Sequence, residues 1–422
     1  MTEASTVHHF PEKSGSASNR TARVLADRAA GEAYVASVCF KHGPPRLTGV
    51  ELEFTVHHAD DPARPLDPDL LATALGPHTP RTLRPDSPAA PLPAGSPVSL
   101  EPGCQVEISA LPQASLRDLD AVVTADLHHL RDRLARHGLV LGESGIDAHR
   151  APRRILHTPR YAAMESRFAP IGPGGITMMC STAGLQVCLD AGEAEHHAAR
   201  WSAAHAMGPP LLALFANSRV HAGRDTGLAS ARWLAVHDTE PVRTRTAAVA
   251  GDPAADWATR MMDTPLMVLP RPDRPWDAPE GLTFADWIDG RGAASLLPRP
   301  TVADLDYHLT TMFTPVRPQG YLEIRYLDAQ PPGEWLAPVA LVAALLARPS
   351  TVEQVRDLCA PVAGRWTTAA RHGLADPELA AAAAALADLG CAELGATGLA
   401  EESIAEISKS VQGRAYRSRS EA

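Results

Sequence analysis

Five glutamates lie on three separated stretches in which polar and apolar residues alternate. Glu51 and Glu53 stand in Gly49-Val50-Glu51-Leu52-Glu53-Phe54, and Glu101 and Glu107 in Leu100-Glu101-Pro102-Gly103-Cys104-Gln105-Val106-Glu107-Ile108-Ser109. Glu323 stands in Tyr321-Leu322-Glu323-Ile324-Arg325-Tyr326. A strand sends successive side chains to opposite faces, so Val50, Leu52 and Phe54 share one face. Glu51 and Glu53 share the other, about 7 Å apart. Two such carboxylates repel each other unless water or a cation compensates.

Any one of these strands is explained by the wet face of a half-covered antiparallel sheet. Three with one design, and no lysine beside them, point instead to a wall for hard cations, which favour oxygen ligands. Glu51, Glu53, Glu101, Glu107 and Glu323, joined by Gln186 on a further alternating run, suit two or three Mg2+ ions completed by substrate phosphates. Zinc fits poorly, because no histidine pair at ligand spacing accompanies them. His157, His237 and His308 read as structural or surface residues, and Met178 and Met179 as core. Arg325 shares a strand face with Glu323, where it could neutralise a γ-phosphate. Arg160, Arg232, Arg243 and Arg317 are further candidates. There is no P-loop, no GxGxxG after a strand and no GxSxG elbow, so ATP would be held by metals and arginines.

Composition narrows the alternatives. The chain has 422 residues, 45% hydrophobic and 21% charged, with a net charge of −10. A soluble globular protein is expected, without the basic blocks of a nucleic-acid or anionic-membrane binder. The only lysines are Lys13, Lys41 and Lys409, which leaves little room for a lysine nucleophile. Six cysteines form no CxxC pair and suit a reducing compartment. With no apolar signal core and no run of about 18 apolar residues, a cytoplasmic location and no membrane partner are expected. Oligomeric state is open.

The elements that must position these residues follow from periodicity. Residues 1–20 read as a disordered tail, and 21–422 as one catalytic domain with an alanine-rich helical C-terminal part. Helices are expected over Thr21–Phe40, Leu66–Leu75, Ser115–His137, Tyr161–Phe168, Glu193–Met207, Pro210–Ala216, Gly227–Ala235 and Ala303–Thr311, and from Pro338 onward. Pro102-Gly103 marks a hairpin turn. Gly172-Pro173-Gly174-Gly175 reads as a flexible connection, and residues 240–300 cannot be ordered.

The same stretches, with Met178 to Val187, Leu214 to Ser218, Arg232-Trp233 with Asp238 and Arg243, and His308 to Phe313, follow one order from about residue 47 to 328. In this the sequence resembles the glutamate–cysteine ligases, and within them the actinobacterial branch that makes γ-glutamylcysteine for ergothioneine. The resemblance implies an α+β fold: a glutamine-synthetase-like curved antiparallel sheet forming a catalytic funnel, with helices outside. It implies ATP, glutamate and cysteine as substrates, and Mg2+ held by Glu51, Glu53, Glu101, Glu107, Gln186 and Glu323. It further implies that Arg325 steadies the transferring phosphoryl group and Arg243 the glutamate carboxylate. Arg160, Tyr161, Met164 and Trp233 would line the substrate pocket. A related ligase with another amine acceptor, or a silent glutamate- or nucleotide-binding protein, are the alternatives. Cys104 departs from the glycine expected after Glu-Pro-Gly, and Cys188 from an expected asparagine. Glu323→Gln is expected to abolish ligation with the fold intact.

Overall fold

The computed structural model describes residues 22–246, 249 and 251–420. The tail expected at residues 1–20 lies outside the described residues. Among the described residues there are ten strands: β1 (Thr48–Phe54), β2 (Val56–His58), β3 (Val98–Leu100), β4 (Val106–Gln113), β5 (Leu139–Leu141), β6 (Gly184–Asp190), β7 (Val220–His221), β8 (Arg224–Asp225), β9 (Val316–Pro318) and β10 (Tyr321–Asp328). Six of them form one antiparallel sheet in the order β3-β4-β1-β6-β10-β9. β2 pairs with β5, and β7 with β8.

Alternation on β1 buries Val50, Leu52 and Phe54, each 1–2% exposed. The helix Leu116–Ala135 covers β4 and β1, and buries Leu116, Leu119, Val123, Leu127, Leu130 and Leu134 at helical spacing. Ser115 starts it by accepting the Asp118 N–H at 3.1 Å. Each such leucine, fully buried, contributes about 1.5–3 kcal/mol. The opposite sheet face is left for polar side chains. One apolar cluster runs from Leu25 to Ala415 and joins sheet and helices.

Several helix limits differ from expectation because capping residues set them. Asp27 caps the helix Arg28–Cys39, so the chain before it runs extended, with Val24 bridged to Thr301. Ser230 caps Ala231–His237, which begins four residues later than the periodicity suggests. The glycines after Pro173 are no flexible connection: they open the helix Gly174–Ser181. A Cβ at Gly175 would stand 2.2 Å from the Phe168 Cβ, so glycine there lets this helix meet Pro159–Phe168. The segment 240–300 is ordered by helices Pro241–Thr244, Pro253–Asp263 and Phe284–Asp289.

The C-terminal part is helical from Leu336, as expected. The stretch Pro377–Thr397 is long and apolar enough to cross a membrane by length and composition, although Glu378, Asp388 and Glu393 interrupt it, and half of it is buried inside the protein. A Cβ at Gly390 would lie 2.2 Å from the Leu341 side chain, so this helix packs closely on Leu336–Leu345.

Candidate active site

Strand register brings the candidate side chains into one row. Glu53 on β1 stands opposite Glu107 on β4, and Glu51 stands between Ser109 on β4 and Gln186 on β6. Cys188 on β6 faces Glu323 on β10, which in turn faces Arg317 on β9. Glu101 joins the row from the turn after β3. Glu51, Glu53, Glu101, Glu107, Gln186, Arg317 and Glu323 line a cavity of about 260 Å³.

One end of the row is acidic. Oxygens of Glu53, Glu101 and Glu107 lie within 4.8 Å of one another, among the described residues a grouping able to hold a metal ion. Glu53 is fixed by the Gly184 N–H at 2.6 Å and by Gln186 Nε2 at 2.8 Å. Glu107 accepts from Ser99 Oγ at 2.6 Å and Ser109 Oγ at 3.2 Å. Burial, then the charges of Glu53 and Glu107, push Glu101 up to about 8. Burial and Glu53 likewise raise Glu107, against its two serine hydrogen bonds. Glu51 is raised by burial and by Glu107 and Glu323. Oxygen donors this crowded, held in place and short of counter-charge, fit a hard cation such as Mg2+.

The other end is cationic. Glu323 is 1% exposed and accepts Arg317 Nε at 2.5 Å and Nη2 at 3.0 Å, Arg325 Nη1 at 2.9 Å and Gln319 Nε2 at 3.3 Å. Burial alone would raise its carboxyl, but the two arginines overturn that and hold it near 2. Arg325 also donates to Gln186 Oε1. Glu323 with Arg317 and Arg325 carries a net positive charge, as an anionic phosphoryl group requires. The five carboxylates expected to form one metal wall are therefore divided: three meet, Glu51 bridges, and Glu323 is engaged by arginines.

The pocket residues are placed unevenly. Arg160 donates to the Thr310 hydroxyl at 3.0 Å and its carbonyl at 3.1 Å, and lies over the Tyr307 ring. Tyr161 and Met164 line the cavity, as do Met178 and Met179, which also belong to or pack on a buried apolar cluster, as expected of core residues. Trp233 stacks between His237 (4.4 Å, 23°) and Trp366 (5.7 Å, 6°), and His237, expected to be a structural or surface residue, also lines the cavity. Arg243 is the exception. It is fully buried, and its guanidinium donates to Glu240 at 2.6 Å, to Thr311 Oγ1 at 2.8 Å and to the Pro265 carbonyl. It braces the wall through these partners and does not itself line the cavity.

The sequence reading gave Arg317 no role beyond that of a candidate and passed over Gln319. The signal was present: Arg317-Pro318-Gln319-Gly320 with Gly320 at φ 78° forms the β9–β10 hairpin that sets Arg317 opposite Glu323.

Residues 47–410 match the model of Glutamate-cysteine ligase family 2. The chain is 39% identical over 365 residues to Glutamate--cysteine ligase EgtA of Mycobacterium tuberculosis, covering 85% of this chain and 82% of that one. It is 38% identical over 389 residues to the Mycolicibacterium smegmatis EgtA, with 90% and 88% covered. With the chloroplastic ligase of Arabidopsis thaliana it shares 30% identity over 66% of this chain and 53% of that one. The fold resembles the Francisella tularensis glutamate–cysteine ligase solved with AMP: TM-score 0.53 and 12% identity, over 90% of this chain and 83% of that one. A matched family model spanning the sheet, the acidic trio and the Arg317–Glu323–Arg325 cluster settles the kinship, and the chain belongs to Glutamate-cysteine ligase family 2.

Proposed function

We propose that this protein joins the γ-carboxyl of L-glutamate to the amine of L-cysteine, converting ATP to ADP and phosphate. The reading takes residues 21–422 as one ligase domain acting in a reducing cytoplasm, on small molecules alone, to supply γ-glutamylcysteine for ergothioneine. The observation that carries it is the division of one cavity into an acidic trio and an arginine-rich end. A carboxylate and a triphosphate repel each other, so their union needs charge of both kinds at fixed positions.

The γ-carboxylate oxygen attacks the γ-phosphorus and ADP leaves. The cysteine amine then attacks the acyl carbon and phosphate leaves, the amine losing a proton. Glu53, Glu101 and Glu107 would hold Mg2+, which supplies charge neutralisation to the triphosphate when bound. Arg325 and Arg317 steady the phosphoryl oxygens, and Glu323 keeps both guanidinium groups aimed. Gln186 ties the two ends by linking Glu53 to Arg325. Arg160, Tyr161, Met164 and Trp233 shape the amino-acid end.

ADP release measured with glutamate, Mg2+ and a panel of amino-acid acceptors tests the reading. Cysteine-dependent ADP with γ-glutamylcysteine by mass spectrometry is expected. Turnover that favours another amine would replace cysteine as acceptor, and no turnover with any acceptor would leave a binding protein.

A further inference from the structure

Arg232 also lines the cavity, and it belongs to neither the acidic trio nor the Glu323 cluster. The β6–β10 ladder is irregular between Ile324 and Leu327: Ile324 pairs with Val187 and Leu327 with Leu185. Arg325 and Tyr326 therefore oppose Gln186 alone, which makes a bulge. Bulges free a backbone carbonyl and re-aim a side chain. Here the carbonyl is that of Arg325, and Arg232 Nη2 donates to it at 3.0 Å.

The arginine is built into its place. Its backbone N–H donates to Ser218 Oγ at 3.1 Å, and its Nη1 lies 3.8 Å from Asp328 Oδ1. Asp328 is itself fully buried and accepts from Ser218 Oγ at 2.7 Å and Ser230 Oγ at 2.9 Å. Arg232 is 7% exposed, and its Nε has no hydrogen-bond partner. A Cβ at Gly184 would stand 2.2 Å from Arg232 Nη2, so the guanidinium lies in a slot that only glycine leaves open. The Gly184 N–H in turn holds Glu53.

We propose that Arg232 is a positioning residue for the phosphoryl transfer: seated over Gly184, it fixes the bulge carbonyl of Arg325 and so aims the Arg325 guanidinium at Glu323 and Gln186. This rests on the ligase reading above. The held carbonyl and the aimed side chain belong to one residue, so a change in the bulge moves both. Losing Arg232 would remove a hydrogen bond from the bulge carbonyl and let the bulge reset. A shift of about 1 Å at the reacting centre costs about 100-fold in rate.

The test compares wild type with Arg232→Gln, Arg232→Lys and Gly184→Ala, each shown to be folded by near-ultraviolet circular dichroism, in steady-state kinetics for all three substrates. The expected result for Arg232→Gln is a fall in kcat of about 100-fold with each KM nearly unchanged. Gly184→Ala, which displaces the guanidinium while keeping Arg232, should fall in the same direction, and Arg232→Lys should recover part of the rate. In an Arg325→Lys background, Arg232→Gln should cost little more, because its route to the chemistry is already gone. A raised KM with unchanged kcat would make Arg232 a direct substrate ligand and overturn the proposal. So would losses that multiply in the double variant. Should Arg232→Gln fail to fold, Gly184→Ala and Arg232→Lys decide, and full activity in both overturns it. Wild-type ADP formation reports on the ligase reading alone; its absence removes that reading and this one together, whereas an active wild type with indifferent variants removes only this one.

Discussion

Glu53 and Glu107 face each other directly across the β1–β4 ladder, two carboxylates on the cavity side of one sheet. Like charges in that position destabilise a strand pair by up to about 1 kcal/mol. On the proposed function, a bound cation would relieve the repulsion. Mg2+ should accordingly raise the melting temperature of the wild-type protein, by the equivalent of about 2.7 kcal/mol at a hundredfold excess over its dissociation constant. Glu107→Gln should melt higher than wild type without metal, respond weakly to Mg2+ and lose activity. Calorimetry with and without Mg2+ checks this; an undiminished Mg2+ response would move the metal away from the trio.

Glu323 is a different kind of carboxylate. The expectation that Glu323→Gln spares the fold took its side chain to be an open site residue, but it is 1% exposed and clasped by Arg317 and Arg325. Removing the anion leaves two guanidinium groups facing each other in the cavity wall. A loss of about 3 kcal/mol is expected in urea unfolding, together with loss of ligation. Replacing Arg317 by methionine as well should return part of that stability without returning activity. Unchanged urea midpoints for Glu323→Gln would refute the clasp.

Much of this site was legible because strand alternation is a local property. Val50, Leu52 and Phe54 against Glu51 and Glu53 can be read from seven residues, and so can the Pro102-Gly103 hairpin. Pairing between distant strands is not local, so the division of the five glutamates into a trio and an arginine-held Glu323 could not be read. The partners of Arg243 are hidden for a related reason: a guanidinium that binds substrate and one that binds Glu240 and Thr311 look alike in sequence. Helix starts were misjudged where apolar periodicity ran past a capping residue, as at Asp27 and Ser230.

Buried histidines are expected to make the protein less stable in acid. Burial holds His205 near 4 against the backbone carbonyl of Trp201, and His308 near 3 with Arg243 adding to the effect. Both are fully folded as neutral imidazoles, whereas the unfolded chain protonates them near 6.5. The unfolded state thus binds more protons below that value, and stability falls as pH drops from about 6.5 toward the folded values. For His205 this amounts to about 3 kcal/mol, at 1.36 kcal/mol per unit. Urea midpoints between pH 7 and 4 should fall steeply, and His205→Gln should flatten part of that slope. An unchanged slope would mean that His205 is protonated in the folded state.

Cys104 closes the hairpin that carries Glu101 to the trio, and its backbone explains why glycine was expected there. Cys104 N–H donates to the Glu101 carbonyl at 2.8 Å, and Glu101 N–H to the Gln105 carbonyl at 2.9 Å, leaving a three-residue loop of Pro102, Gly103 and Cys104. Such loops end in a left-handed residue, and Cys104 has φ 65°. A side chain in that conformation costs roughly 1–2 kcal/mol. Gly103 answers a separate need, since a Cβ there would stand 2.2 Å from the Cys180 carbonyl oxygen. The strain at position 104 can be isolated by comparing Cys104→Ala with Cys104→Gly. Alanine keeps the strain and loses the sulfur; glycine loses both the sulfur and the Cβ contact but relaxes the backbone. Cys104→Gly should therefore unfold at a urea concentration equal to or above that of Cys104→Ala, although it buries less surface. A valine, branched at Cβ, should be the least stable of the three and should slow ligation by displacing Glu101. If alanine proved clearly more stable than glycine, packing around Cys104 rather than its backbone would govern the turn.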